Sequence, residues 1–319
     1  MTFYTERESI KEGFSEIKKR LRTVIMLPLA VFVAIYLSPD IAEYAMEGLI
    51  LSGKIVVVSV FPYLILSDLF IAFCHPERLL FLSRGFERIF KINASAISAF
   101  ILGAVCGFPI GVKVARELYV KGVISHNECE RLIGFSNNTG PAFAISAIGI
   151  TMRGNIYDGI IIYLAMIISA LIVGWLFGIG KHASEGRNID ELESFSLSGS
   201  IRNAGLATLN ISACIVFFSV IGGLFRKFIK SELLYLIIIP FLELTGAEAK
   251  ISAFDFSLPH LSLALAAFAL SFSGLSVHMQ AKSILGGTDI GMKTYYAEKI
   301  CQGLLSMPIA ILLSLFIGR

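Results

Sequence analysis

Three short strings concentrate the polar and helix-breaking residues of this sequence. The first is Gly107-Phe108-Pro109-Ile110-Gly111-Val112-Lys113. Gly107, Pro109 and Gly111 interrupt a helix there and free backbone N–H and C=O groups. Lys113 follows at once. A lysine at such a break offers a point charge to a carboxylate or phosphate, or else snorkels to the membrane interface. The second string is Ser136-Asn137-Asn138-Thr139-Gly140-Pro141. Its proline suits the first turn of a new helix. Asn137, Asn138 and Thr139 either cap that helix or face a ligand. Two adjacent asparagines cannot both cap, so at least one ligand contact is expected. The third runs from Ser271 to Gln280 and holds Ser273, Gly274, Ser276, His278 and Gln280. His278 can relay a proton, or pack as a hydrogen-bonded histidine between helices. Together these residues form the candidate binding set for a small anionic molecule.

Nothing in the sequence reads as a catalytic set. No G-x-S-x-G, P-loop or paired carboxylate lies inside an apolar run, and Glu243 is the one acid that looks buried. A non-enzyme is expected. No cofactor or metal is expected either: the five cysteines show no C-x-x-C spacing, and the five histidines lie far apart. Cys74, Cys106, Cys129, Cys214 and Cys301 read as small apolar residues.

The elements that carry these strings must be membrane helices. Of 319 residues, 55% are hydrophobic and 16% charged, against about 45–50% and 25% in a soluble domain. So few charges cannot solvate a globule of this size. A soluble enzyme, a disordered chain and a nucleic-acid-binding domain are excluded, and the lipid bilayer is the expected surrounding. The net charge of +3 implies no acidic partner. In lipid every backbone polar group needs an internal partner. The long, unalternating apolar runs select helices over a barrel. The expected fold is therefore an all-α polytopic transmembrane bundle, with homo-oligomerisation left open.

Residues 1–20 read as a cytoplasmic amphipathic segment. Apolar runs follow at Leu21–Leu37, Gly48–Phe73, Ala94–Ile110, Ala142–Met152, Ile156–Ile179, Gly205–Phe225, Leu233–Leu244, Leu261–Leu275 and Leu304–Ile317. The pieces 142–152 and 233–244 are too short to span a core of roughly 30 Å and read as half-helices. The segment Leu79–Phe90 reads as an interfacial helix. The stretch 181–203 is the expected linker.

The two halves match weakly but in order. EGLILSGKIVVVSVF (47–61) aligns with AGLATLNISACIVFF (204–218), and GFPIGVKVAREL (107–118) with GLSVHMQAKSIL (274–285). The second offset also pairs Pro141 with Pro308. Two transmembrane repeats are expected, 21–153 and 156–319, inverted rather than parallel. Duplicated halves with Gly/Pro-broken helices mark secondary transporters.

These strings also carry a resemblance. CGFPIGVKVARELYVKGVISHNECERLIGFSNNTGP and FSGLSVHMQAKSIL resemble the signature of the YlbJ family of sporulation integral membrane proteins. The family pattern is G-[YF]-P-x-G-[AS]-K, then N-[NT]-[ST]-G-P, then G-G-L-S-V-H-x-Q. Here Ser273 replaces the first glycine of the last motif and Val112 a small residue. The resemblance covers nearly the whole chain from about residue 45. It implies a relation to nucleoside-recognition "gate" domains and a role in making heat-resistant spores. It implies transport of dipicolinate, a small aromatic dicarboxylate, from the mother cell across the outer forespore membrane. Lys113 would then supply charge, and Asn137, Asn138, Ser276 and Gln280 directional hydrogen bonds. Nucleoside or nucleobase transport and a non-transporting membrane scaffold are the alternatives.

The charge pattern fixes an orientation. Lys18, Lys19, Arg20 and Arg22 precede the first run, and residues 38–47 hold no Lys or Arg. The positive-inside rule places the N-terminus in the cytoplasm. A reporter fused at Met1 should be inaccessible from outside intact cells; accessibility would refute the orientation.

Overall fold

The structure is a computed structural model and describes residues 38–58, 61, 62, 64–66, 69, 80–184 and 196–317. The expected cytoplasmic segment, the first run and much of the second lie outside the described residues. The described residues are helical throughout their regular parts, as an all-α polytopic bundle requires. In chain order they form α1 (Ser38–Leu51), which winds on as a π-helix over Ser52–Val57, then α2 (Leu80–Phe90), α3 (Ile97–Cys106), α4 (Ile110–Val120) and α5 (His126–Ser136). A π-helical segment, Ala142–Met152, precedes α6 (Ile156–Gly178) and α7 (Leu197–Phe228). The last elements are α8 (Glu232–Leu242), α9 (Leu244–Ala253), α10 (Pro259–Phe272), α11 (Gly274–Ile284) and α12 (Lys293–Ser314).

Local chemistry explains the boundaries. Asn155 caps α6 by accepting from Tyr157 N at 3.0 Å. Ser196 caps α7 by accepting from Gly199 N at 3.2 Å, so the expected linker ends at residue 196 rather than 203. Ser125 and Glu128 form a reciprocal capping box at the start of α5. Among the described residues, four stretches are long and apolar enough to cross a membrane: α6, α7, α10 with α11 (260–284), and α12. A fifth span exists if α2 and α3 count as one, although they meet at a bend of 102°. The helices Ala142–Met152 and Glu232–Leu242 are short, as expected of half-helices.

The spans differ in what surrounds them. The 260–284 stretch is mostly enclosed by protein, whereas α7 keeps most of its surface outside. Leu206, Leu209 and Phe217 on α7 are exposed apolar residues, the face a lipid-contacting helix presents. α12 packs most extensively on α10 and α6, and also on α5. Elsewhere α1 and α7 run antiparallel. Gly48 of α1 lies against Val216 and Ser219, Tyr44 lies against Gly223, and Asp40 pairs with Lys227. The α3–α4 corner meets the end of α5 as closely as backbones allow. A Cβ on Gly103 or Gly111 would sit 1.9 or 2.1 Å from Ser136 O.

Glu128 ties three segments together. Its carboxylate accepts from Asn93 N at 2.8 Å, from Ser184 N at 3.0 Å and from the Ser184 hydroxyl, as well as from Ser125. Burial pushes this carboxyl up, but the hydrogen bonds from Ser184 and Ser125 outweigh burial and hold it below the ordinary glutamate value. A depressed carboxyl contributes stability that is full above the unfolded value and lost as pH falls through the folded one. Glu128→Gln should cost about 1–2 kcal/mol at neutral pH. It should also flatten the loss of stability below about pH 4.3. Thermal unfolding of the purified protein across the acid range reads both effects.

Candidate substrate site at the broken helices

Four helix breaks converge. They are Gly107 to Pro109 between α3 and α4, residues 137–140 after α5, Glu243 between α8 and α9, and Ser273 between α10 and α11. The backbone at two of them requires glycine. Gly107 has φ +85°, and an added Cβ would lie 2.8 Å from Gly140 N. Gly274 has φ +70°, and its Cβ would lie 3.1 Å from Glu243 N. Each break is thus pressed against another. Ser273 also takes a left-handed conformation (φ 76°). Its hydroxyl donates to Leu270 O at 3.0 Å. The Phe108–Pro109 peptide is cis.

A cavity of about 60 Å³ lies where the breaks meet. Its polar lining comes from Thr139, Glu243, Thr245, Ser276 and Gln280, with backbone at Gly107 and Gly140. Phe108, Phe143 and Val277 supply apolar wall. Ile211 and Ile215 of α7 close another side and form a buried cluster of their own, apart from the two main cores.

Electrostatics divide the helix starts around this cavity. Glu243 caps α9, accepting from Thr245 N at 2.7 Å and from Gly246 N. An internal carboxylate therefore already fills that helix N-terminus. The helix starting after Pro141 and α11 starting after Ser273 have no side-chain cap. Their first N–H groups and positive dipole ends lie beside lining residues Gly140, Ala142, Ser276 and Val277.

The expected site residues fall into three groups, with Lys113 apart from all of them. Gly107, Thr139, Ser276 and Gln280 line the cavity. Asn137, Asn138 and His278 are buried beside it but bond to protein. Asn137 Nδ2 donates to the Tyr295 hydroxyl at 3.0 Å, and Asn138 Nδ2 donates to Phe135 O at 2.6 Å. Neither caps the following helix; Asn137 instead ends α5. His278 Nε2 lies 2.7 Å from Phe272 O, and its ring packs on Phe272, Tyr295 and Tyr296. Pro109, Gly111, Ser273 and Gly274 shape the breaks. Lys113 is half-buried in the first turns of α4 and is not part of the cavity lining.

Sequence reading missed the residues of α12. The last span begins at Lys293, not Leu304, because its first half carries charges buried in protein rather than in lipid. Tyr295, Lys299, Gln302 and Ser306 are all fully buried. Their spacing of four, three and four residues is one helix face, the signal a hydropathy window averages away. Lys299 Nζ donates to Gln302 Oε1 at 2.9 Å, to Ser271 O at 3.4 Å and to Asn137 O. Gln302 Nε2 in turn donates to Asn138 Oδ1 at 2.8 Å and Met166 O at 3.2 Å. Glu298 is buried against Gly134, close enough that its Oε2 would lie 1.8 Å from a Cβ there. Glu248 is buried as well, and its oxygens accept no hydrogen bond among the described residues. The expectation that Glu243 is the one buried acid is thus corrected: Glu128, Glu248 and Glu298 are buried as well.

Comparison with known proteins agrees with the motif strings. The chain is 26% identical over 314 residues to the sporulation integral membrane protein YlbJ of Bacillus subtilis (strain 168). The alignment takes in 85% of this chain and 77% of that one. No family model and no solved structure matches the chain. The polytopic helical fold and the motif strings agree with this likeness: the chain is similar to a sporulation integral membrane protein along most of its length.

Proposed function

We propose that this multi-pass membrane protein transports a small organic anion during sporulation and is not an enzyme. Dipicolinate is the proposed substrate, moved from the mother cell into the forespore across the outer forespore membrane. The observation that carries this reading is the pair of helix N-termini without side-chain caps, from opposite halves, at one cavity. Each such end carries roughly half a positive charge, and carboxylates bind there without a lysine. The hydroxyls of Thr139 and Ser276 and the amide of Gln280 add direction. Lys113, outside the lining, is not needed for the charge.

The repeat arrangement supports a transporter. The offset that pairs Gly107 with Gly274 and Pro141 with Pro308 also pairs His126 with Lys293, the first residues of α5 and α12. The aligned segments 47–61 and 204–218 belong to α1 with its π-helical continuation and to α7, which pack antiparallel. Antiparallel packing of matched helices is what an axis in the membrane plane produces, and it favours inverted halves.

A second reading has its own observation. Glu243 lines the cavity and no Lys or Arg does. A neutral heterocycle such as a nucleobase would suit that lining, with Gln280 and Glu243 as its hydrogen-bond partners. Flux into proteoliposomes holding only this protein separates the readings. Dipicolinate uptake above empty liposomes is expected, and Gln280→Ala should weaken apparent affinity about five-fold, the scale of one neutral hydrogen bond. Nucleoside uptake without dipicolinate uptake would establish the second reading, and no flux of either would leave a scaffold.

A further inference from the structure

We infer that Lys299 supplies, with its own ammonium, the cation that a broken-helix transporter otherwise takes from solution, so that transport by this protein is independent of sodium. The inference rests on the transporter reading for its functional half, but the cation position itself stands on geometry. Transporters built from discontinuous helices bind a coupling cation at half-helix C-terminal ends, where carbonyl oxygens are left over and the dipole is negative. This fold has two such ends at one point. Asn137 ends α5, and Ser271 lies in the last turn of α10. Lys299 Nζ donates to the carbonyls of both. Its third bond goes to Gln302 Oε1 at 2.9 Å. Three donors thus meet three neutral oxygens drawn from three helices, the inventory of one ammonium group.

The surroundings match a held cation rather than a surface lysine drawn inward. Lys299 is completely buried. Glu298, the preceding residue, is also completely buried, and its carboxyl oxygens accept no hydrogen bond among the described residues. Arg131 of α5 is spent on the end of α2, donating to Phe90 O at 2.9 Å and Lys91 O at 2.7 Å. His278 of α11 feels the Lys299 charge. From α10 and α6 the partners are backbone: Ser271 O to Lys299 and Met166 O to Gln302. A buried ammonium needs each of its donors bonded; the two carbonyls and Gln302 meet that demand. Lys299 does not line the substrate cavity, so it sits where a coupling ion would, behind the substrate and between the breaks.

The test uses the full chain purified in detergent, with unfolding followed by fluorescence of Trp175, the single tryptophan. Wild type should melt at the same temperature in sodium, potassium and choline chloride of equal ionic strength. Lys299→Ala should melt about 5–10 °C lower. Methylammonium or sodium should restore part of that loss saturably, relative to choline. Lys299→Met fills the space with an apolar stem and should melt low without rescue by any cation. A saturable sodium effect on wild type would overturn the proposal. So would a Lys299→Ala protein indifferent to every small cation, which would make Lys299 a tie between helices only. If Lys299→Ala yields no folded protein, Lys299→Ser, which also vacates the ammonium's space, takes its place with the same expected rescue and the same overturning result. Dipicolinate flux should be equal in sodium and choline, and sodium-dependent flux would also overturn the proposal. Cation rescue with no flux of any solute would leave the cation position standing and remove the transporter reading instead.

Discussion

A helix interrupted within a bilayer leaves amides and carbonyls with no water to take them, at several kcal/mol for each orphan group. Among the described residues, four helix interruptions come together at one place. The amide ends and the carbonyl ends are then treated differently. At the carbonyl ends of α5 and α10 one ammonium answers two helices at once. At the amide ends, Glu243 answers α9, and the starts after Pro141 and Ser273 are left to the cavity. The close glycine contacts follow from the same demand. Gly107 can lie on Gly140, and Gly274 on Glu243, only because neither carries a side chain.

The parts of this arrangement readable in the sequence were those marked by Gly and Pro. Gly107, Pro109, Pro141 and Gly274 announce breaks because no other residues are as informative about backbone conformation. Four of the expected site residues, Gly107, Thr139, Ser276 and Gln280, line the cavity. Glu243 also announced itself, as an acid ending an apolar run. What could not be read was which charges turn inward. Lys113 stands beside a break and Lys299 stands in a polar stretch, yet Lys299 is the one fully enclosed. That difference depends on helix faces meeting across the bundle, where α12 packs on α10, α6 and α5. The same long-range pairing sets the partners of Asn137 and Asn138, which are Tyr295 and Gln302, more than 150 residues away in the chain.

Charge at the site is therefore distributed rather than concentrated. A positive group lies behind the breaks, an acid at their rim, and two helix starts between them. On the proposed function, an anion entering such a place meets two uncapped helix starts and the Glu243 carboxyl, and no lysine or arginine. Dipoles hold a solute less tightly than a fixed cation would.

The wall that α7 contributes has a different character from all of this. It consists of Ile211 and Ile215, one turn apart on a helix whose outer face meets lipid. In water, parting two isoleucines from their neighbours would expose oil to solvent and carry a large penalty. In a bilayer, acyl chains fill the gap at almost no cost. The seam through Lys299 is therefore held by directional hydrogen bonds, whereas the seam at α7 is held by aliphatic contact alone, a contact whose strength depends on the medium around it.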